Sequence, residues 1–279
     1  MPLPPIHDSK FFSLIDSQAE SPKPTESSTQ AIPTLASPQA LPKLEGPLKV
    51  PSYFKESKTP QEKLALRLEQ IQTELNDEAF PISLERLDKC LGELKKAEDL
   101  ELKGELKKKF ESVKAQTIQK AAEKIHQLVN NKDNPLNHYQ DLPVIKHSFR
   151  LLQLYPEIAH TEPLDSESIR NLARSFEKCF GHALRRFNHQ LEELNKPYQE
   201  RRISVYLRKE AIKNYYQSTY LFLASLETQA PETKEAFYQG MSFLDPEEET
   251  PPTTQLKTWL EAKLPSASKE DLDYLVSTH

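Results

Sequence analysis

The chain has 279 residues, a formal net charge of −5 and an apolar share of 37%, which is low for a fully folded protein. Average composition would give about 20 glycines, whereas the chain has 5, so glycine-cradled phosphate sites and tight catalytic turns have few residues to use. Of the 22 prolines, 11 lie within the first 60 residues, which separates a proline-rich start from the remainder.

Residues 1–58 are rich in proline, serine, threonine and glutamine. Such a segment buries too little apolar surface to offset the entropy lost on ordering, so we expect a disordered tail. One apolar island interrupts it, and on a short helix Phe11, Leu14 and Ile15 would share a face. We predict that Phe11, Phe12, Leu14 and Ile15 bind a partner protein; the alternative is an apolar stretch of tail without a partner.

Ordered structure is predicted to begin at Thr59, because Thr59 and Glu62 form a capping box around Pro60. A stripe of leucine and isoleucine then predicts a helix over 59–76, and Pro81 and Ser83 open the next one. From 99 to 130 the apolar residues recur at a mean spacing of about 3.67, the period of a straight helix.

The second half continues the same pattern. Apolar periodicity predicts helices over 141–155, 165–194, 198–226, 232–244 and 253–264, and a last one from about 268. No run of β-branched residues alternates with period two, so strands are not expected. We therefore predict an all-α chain: an antiparallel bundle of long helices over 59–245, followed over 246–279 by an acidic linker and short helices on or beside that bundle.

No motif for nucleotide binding, metal binding or hydrolysis occurs in the sequence. Cys179, His182 and His189 fall on one face of a predicted helix, but no fourth ligand lies at a fixed spacing, and Cys179 is better explained as a core residue between phenylalanines. The abundant carboxylates lie on polar faces rather than in buried pairs. We predict no catalytic residue, no cofactor and no metal.

Cysteine usage and hydropathy indicate the compartment. Two cysteines, Cys90 and Cys179, are too few for a disulfide-stabilised secreted domain. The first residues lack the basic start and apolar run of a signal peptide, and the longest apolar run, Tyr220–Ala224, is too short to span a bilayer. The expectation is a cytoplasmic protein without a transmembrane segment.

Charge is unevenly distributed along the chain. Residues 168–213 carry 11 Lys or Arg against 5 Glu, and residues 227–279 carry 4 Lys against 11 Asp or Glu. The predicted turn at Pro197 would bring basic residues together at one tip of the bundle, where they would attract anions. The candidate anion-binding residues are Arg185, Arg186, Arg201, Arg202, Arg208 and Lys209. The alternative is that the acidic C-terminal part folds back and neutralises them.

These features favour a non-enzymatic adaptor that binds another protein as part of a complex. A second hypothesis is binding of nucleic acid or an anionic membrane surface through the basic tip, although the sequence pI near 6.0 argues against nucleic acid. In composition, and in its late Glu247–Thr250 segment, the chain resembles proteins of intracellular bacteria that act with or travel through a secretion system. That resemblance identifies no family, and it implies an accessory subunit or a secreted effector.

Overall fold

The computed structural model describes residues 59–194 and 202–277, without the side chains at 194 and 202–204. Within those ranges it contains nine α-helices, three short 3₁₀ turns and no strand, so the prediction of an all-α chain is confirmed. The helices are α1 (Pro60–Leu75), α2 (Leu84–Ala97), α3 (Gly104–Val129), α4 (Leu142–Leu154), α5 (Ser166–Leu194), α6 (Arg202–Ala224), α7 (Pro231–Gly240), α8 (Pro252–Lys263) and α9 (Lys269–Val276). No helix within those ranges has both the length and the apolarity needed to cross a membrane.

Local capping explains where two of these helices begin. At α1 the Thr59 hydroxyl accepts a hydrogen bond from the Glu62 backbone N–H at 3.2 Å, and the Glu62 carboxylate accepts one from the Thr59 N–H at 2.8 Å. This is the predicted capping box. At α5 the Asp165 carboxylate accepts a hydrogen bond from the Ser168 N–H at 2.8 Å. Both helices therefore start within one residue of the predicted position.

Helix α3 begins later than the sequence pattern predicts. We expected helix from residue 99, whereas α3 starts at Gly104, whose φ is +55°. A positive φ is incompatible with the interior of a right-handed helix and is readily adopted only by glycine. Gly104 therefore sets the start of α3, while the apolar stripe that follows is buried as expected.

Helix α5 lies at the centre of the packing and contacts α3, α4, α6, α7 and α8. An aromatic cluster forms the core around it: the ring of Phe149 lies 5.3 Å from that of Phe176 and 4.7 Å from that of Phe222, which in turn lies 4.6 Å from Phe237. Each fully buried side chain of this size contributes about 1.5–3 kcal/mol of transfer free energy. The antiparallel order of the helices and the domain limits at 58 and 245 stay predictions.

The N-terminal half of α6 is less buried than its sequence suggests. The apolar periodicity of this helix would place Leu207 toward the core, yet its side chain is 40% exposed, and the neighbouring Tyr206 is 60% exposed. The inward face of α6 is instead made by Val205, Ile212 and Tyr216. The predicted partner-binding residues Phe11, Phe12, Leu14 and Ile15 lie outside the described residues.

Candidate functional site

A surface groove of about 430 Å³ runs along α5, and its other side is made by the ends of α7 and α8. Four cationic side chains and one carboxylate line it, together with one histidine. These charged or titratable residues are Arg174, Glu177, Lys178, His182, Arg185 and Lys263. The groove is therefore locally basic in a chain that is acidic as a whole.

Close packing of α7 against α5 forms one end of the groove. A Cβ atom on Gly240 would lie 2.5 Å from the Cβ of Ala173 and 2.7 Å from the carbonyl oxygen of Arg170. Distances this short cannot be accommodated by rotating a side chain, since one of the atoms belongs to the α5 backbone. Glycine at 240 is thus what allows the last turn of α7 to lie directly on α5.

Glu177 fixes the segment that leaves α7. Its carboxylate accepts a hydrogen bond from the Ser242 backbone N–H at 2.6 Å and a second one from the Ser242 hydroxyl. Charge-assisted hydrogen bonds of this kind are stronger than neutral ones. Glu177 is the only carboxylate that lines the groove. It is hydrogen-bonded to Ser242 and forms no ion pair with a groove cation within the described residues.

Trp259, the single tryptophan of the chain, lies in the groove wall. Its ring stacks on Phe243 with centroids 4.8 Å apart and contacts Phe180 at 5.9 Å. The ammonium of Lys263 lies 5.8 Å from the indole centroid, within the range of a cation–π contact. Aromatic neighbours therefore hold the indole in place, and part of it faces the groove.

The cations of the groove differ in how they are paired. Arg174 forms an ion pair with Glu167 at 3.3 Å. Lys178, Arg185 and Lys263 form no ion pair within residues 59–194 and 202–277. Lys178 and Arg185 belong to α5 and Lys263 to the end of α8, so these three charges reach the groove from two helices.

The structure separates the predicted anion-binding residues. Arg185 lines the groove, whereas the guanidinium of its neighbour Arg186 lies 5.0 Å from the ring centroid of Tyr139. Arg208 is half-buried beside Arg186; burial, and repulsion by Arg186, lower the pKa of its guanidinium. Arg186 and Arg208 are thus close together, and Arg185 belongs to a different surface.

Lys209 belongs to a third environment. Its ammonium forms an ion pair with Asp271 of α9 at 2.5 Å and lies 4.6 Å from the Tyr274 ring centroid. The side chains of Arg201 and Arg202 are outside the described residues.

Two polar clusters elsewhere contain residue types that also occur in catalytic sites, and each joins two helices. The Ser168 hydroxyl lies 3.0 Å from Nδ1 of His126 and accepts a hydrogen bond from Asn130 at 2.8 Å, but Ser168 is 1% exposed and the nearby Asp165 caps α5 instead of orienting the imidazole. This cluster joins the end of α3 to the start of α5.

The second cluster joins α2 to α4. The carboxylate of Asp88, which is 4% exposed, lies 2.8 Å from Nδ1 of His147 and 3.2 Å from Nε of Arg150. The His147 contact is a hydrogen bond, whereas Oδ1 has no hydrogen-bond partner among the described residues and Arg150 offsets its desolvation by charge alone. We therefore assign this cluster to the stability of the helix pair.

Both cysteines are fully buried. Burial, above all other influences, raises the pKa of the Cys90 thiol to about 11 and that of Cys179 to about 12. His182 and His189 lie on the exposed side of α5, so they do not face the Cys179 thiol in the core. The part of the chain that the structure describes holds no cluster of side chains suited to a metal ion.

Sequence reasoning missed most of the groove. Arg174, Lys178, His182 and Arg185 follow one another at i, i+4, i+8 and i+11 on α5, so their common face could have been read from the helix period. No sequence signal places Lys263 opposite them, because that requires α8 to pack on α5. No family model, no curated protein and no solved structure matches this chain.

Proposed function

We propose that this chain is a non-enzymatic protein-binding module, and that its basic groove binds an acidic segment of a partner protein. The observation that carries this proposal is the convergence of Lys178, Arg185 and Lys263, which have no ion pair within the described residues, on one groove. Carboxylates of a partner would supply the missing counter-charges. In this proposal, the groove would be the part of the described chain through which the adaptor role expected from the sequence is carried out.

An acidic protein segment fits better than nucleic acid. Single-stranded nucleic acid binds by stacking bases on exposed aromatic rings along a continuous basic track. Here the Trp259 ring is already stacked on Phe243, and the basic residues of α5 and α6 are divided among separate surfaces.

The expected affinity is moderate. Exposed ion pairs contribute about 0.2–1 kcal/mol each, so three of them account for a small part of the roughly 8 kcal/mol that a micromolar complex needs. Apolar contact with Trp259 and its neighbours has to supply much of the rest. We expect micromolar dissociation constants that weaken as salt is added.

The test uses the full chain and a fluorescein-labelled ten-residue peptide that carries four glutamates and one leucine, followed by fluorescence anisotropy. The variant Lys178→Glu/Arg185→Glu reverses two groove charges. Its matched control, Lys107→Glu/Lys108→Glu, makes the same change in net charge on the exposed face of α3. We expect the groove variant to bind at least tenfold more weakly than the parent protein, and the control variant to bind within about twofold of it.

Three outcomes are decisive. Equal weakening by both variants would mean that only net charge matters, and no binding by the parent protein would remove the proposal. A single-stranded oligonucleotide of equal charge serves as the competing probe. If the oligonucleotide binds more tightly than the peptide and its affinity falls steeply with salt, the groove is a nucleic-acid site and the proposal is wrong. Thermal unfolding of each variant verifies that it is folded.

A further inference from the structure

The connection between α7 and α8 concentrates negative charge. It carries four carboxylates within five residues, at Asp245, Glu247, Glu248 and Glu249, and all four residues are exposed. We call residues 245–249 the acidic loop. None of its carboxylates forms an ion pair within the described residues. The molecule therefore presents an uncompensated acidic loop in addition to the basic groove.

Gln255 of α8 holds the acidic loop in one conformation. Gln255 is 4% exposed, and its side chain accepts a hydrogen bond from the Asp245 N–H at 2.7 Å and donates to the carbonyl oxygens of Asp245 and Thr250, both at 3.0 Å. The carboxylates of Glu247 and Glu249 accept no hydrogen bond among the described residues. A loop that is already ordered loses little conformational entropy when it binds, and these two carboxylates are available to cations.

Within one chain the acidic loop does not neutralise the groove. Lys263 lies eight residues beyond Gln255 on α8, which is about 12 Å along the helix axis. No ion pair joins the loop to a groove cation of α5 within the described residues. The two surfaces are nevertheless contiguous, since Ser242 lines the groove and Asp245 follows three residues later. Two surfaces of opposite charge thus border each other.

Building on the proposed function, we propose that a second copy of this chain occupies the groove with its acidic loop, and that self-association thereby competes with binding of a partner's acidic segment. Charge complementarity of the two surfaces carries this inference. Because they are contiguous, two copies related by a two-fold axis make the same contact twice, each placing its loop in the groove of the other. Exposed ion pairs are weak and screened by salt, so the dimer is a transient one that dissociates as salt is added.

Sedimentation velocity of the full chain at low salt, between about 5 and 500 μM, tests for this dimer. We expect the parent protein to dimerise with increasing concentration, and both 0.5 M NaCl and an excess of the acidic peptide to return it to monomer. The groove variant Lys178→Glu/Arg185→Glu and the loop variant Glu247→Lys/Glu249→Lys should each dimerise at least tenfold more weakly.

The matched control for the loop variant is Asp99→Lys/Glu101→Lys. It makes the same change in net charge at two exposed carboxylates, also two residues apart, in the connection between α2 and α3. We expect this control to dimerise within about twofold of the parent protein. Thermal unfolding verifies that each variant is folded.

Mixing the groove variant with the loop variant gives the sharpest test. In a mixed dimer, the acidic loop of the groove variant meets an unaltered basic groove, and the lysines of the loop variant meet the glutamates of the altered groove. Both contacts are again complementary in charge. We expect the mixed dimer to form at least tenfold more tightly than either variant dimerises alone, a rescue that damage to the fold of either variant would not give.

Each result bears on one of the two proposals. If the parent protein binds the acidic peptide but stays monomeric over the whole range, the inference is wrong and the proposed function stands. A dimer that neither variant weakens, or that mixing does not restore, would show that another surface joins the copies, which also overturns the inference. If only the groove variant loses the dimer, the occupant is not the acidic loop. If neither peptide binding nor a dimer is observed, both proposals are wrong.

Discussion

Two basic surfaces of this molecule, both drawn from the cationic middle of the sequence, differ in how their charge is compensated. In the groove along α5, Lys178 and Arg185 have no carboxylate partner within the described residues. On α6, Lys209 forms an ion pair with Asp271 of α9. Two cations of α5 thus lack a described ion pair, whereas Lys209 of α6 is paired with a carboxylate of the C-terminal segment.

The neutralised surface, which we call the α6–α9 seam, is built from several contacts. Lys209 and Lys213 lie 4.6 Å and 4.1 Å from the ring centroid of Tyr274, and Gln217 donates a hydrogen bond to the Ser277 carbonyl at 2.9 Å. Leu275 is fully buried beneath them. In this part of the molecule the acidic C-terminal segment folds back onto the basic helix, which was the alternative to an anion-binding tip.

The difference shows that a charge excess read along the sequence does not identify a binding surface by itself. Whether a cation is free to bind a ligand depends on which helix packs beside it. Asp271 of the acidic C-terminal segment pairs with Lys209 of α6. In the groove, by contrast, the carboxylate of Glu177 is hydrogen-bonded to Ser242. Binding function is therefore expected where the positive charge stays uncompensated. The comparison can be tested by altering each surface separately.

The largest expected effect comes from the helix contact that builds the groove. Gly240→Ala places a Cβ atom 2.5 Å from Ala173 and 2.7 Å from the Arg170 backbone. Such overpacking lowers the free energy of unfolding by about 1–3 kcal/mol, measurable by urea denaturation. Affinity for the acidic peptide should fall as well, because the end of α7 moves relative to α5, while the α6–α9 seam should be unaffected.

Gly92→Ala is the matched control for that substitution. Gly92 lies inside α2, and the nearest atom to an added Cβ is Nη2 of Arg150 at 3.9 Å. Alanine there is expected to stabilise the protein by about 0.5–1 kcal/mol, as in other helix interiors. Similar effects of the two substitutions would show that α7 does not approach α5 as closely as described.

The next largest effect is on how the stability of the α6–α9 seam depends on pH. Burial opposes ionisation of Asp271, but hydrogen bonds from Lys209 and Ser268 outweigh it, so the pKa of this carboxyl is lowered from its ordinary value. A lowered pKa in the folded state adds stability above the ordinary value, near pH 4, and this stability is lost as the pH falls through the folded-state pKa. We expect Asp271→Asn to cost about 1 kcal/mol at pH 7 and clearly less at pH 2.5, because the carboxylate is progressively protonated as the pH falls.

Denaturation at both pH values measures this difference, and Asp273→Asn, on the exposed side of the same helix, is the control. Peptide binding in the groove should be the same in both variants. An equal loss at pH 7 and pH 2.5 would contradict an ion pair between Lys209 and Asp271. Weaker peptide binding in Asp271→Asn would mean that the two surfaces are coupled.

Local features of the fold were predictable because they depend on residues a few positions apart. The capping box at Thr59 and the buried stripe of α5, including Phe176, Phe180 and Phe187, follow from nearest-neighbour geometry and helical period. Burial of Cys179 among these phenylalanines was expected for the same reason.

Contacts between distant segments were not predictable in this way. Lys263 reaches the groove, and Asp271 reaches Lys209, only through packing of α8 and α9 on earlier helices. No sequence signal distinguishes Gly240 from the other glycines, because its close approach to Ala173 depends on the packing of α7 against α5. Which cations are compensated is thus a property of the tertiary structure.

The smallest expected effect is on peptide affinity and comes from the one carboxylate that lines the groove. Glu177→Gln removes the one carboxylate of the lining and keeps a side chain that can still accept a hydrogen bond from Ser242. One unit charge at about 7 Å in water is worth about 0.6 kcal/mol, so affinity for the acidic peptide should rise about two- to threefold at low salt. Glu232→Gln, exposed at the start of α7, should leave it unchanged. Because salt screens this interaction, the gain should disappear at 0.5 M NaCl; an unchanged affinity at low salt would show that the peptide does not bind near Glu177.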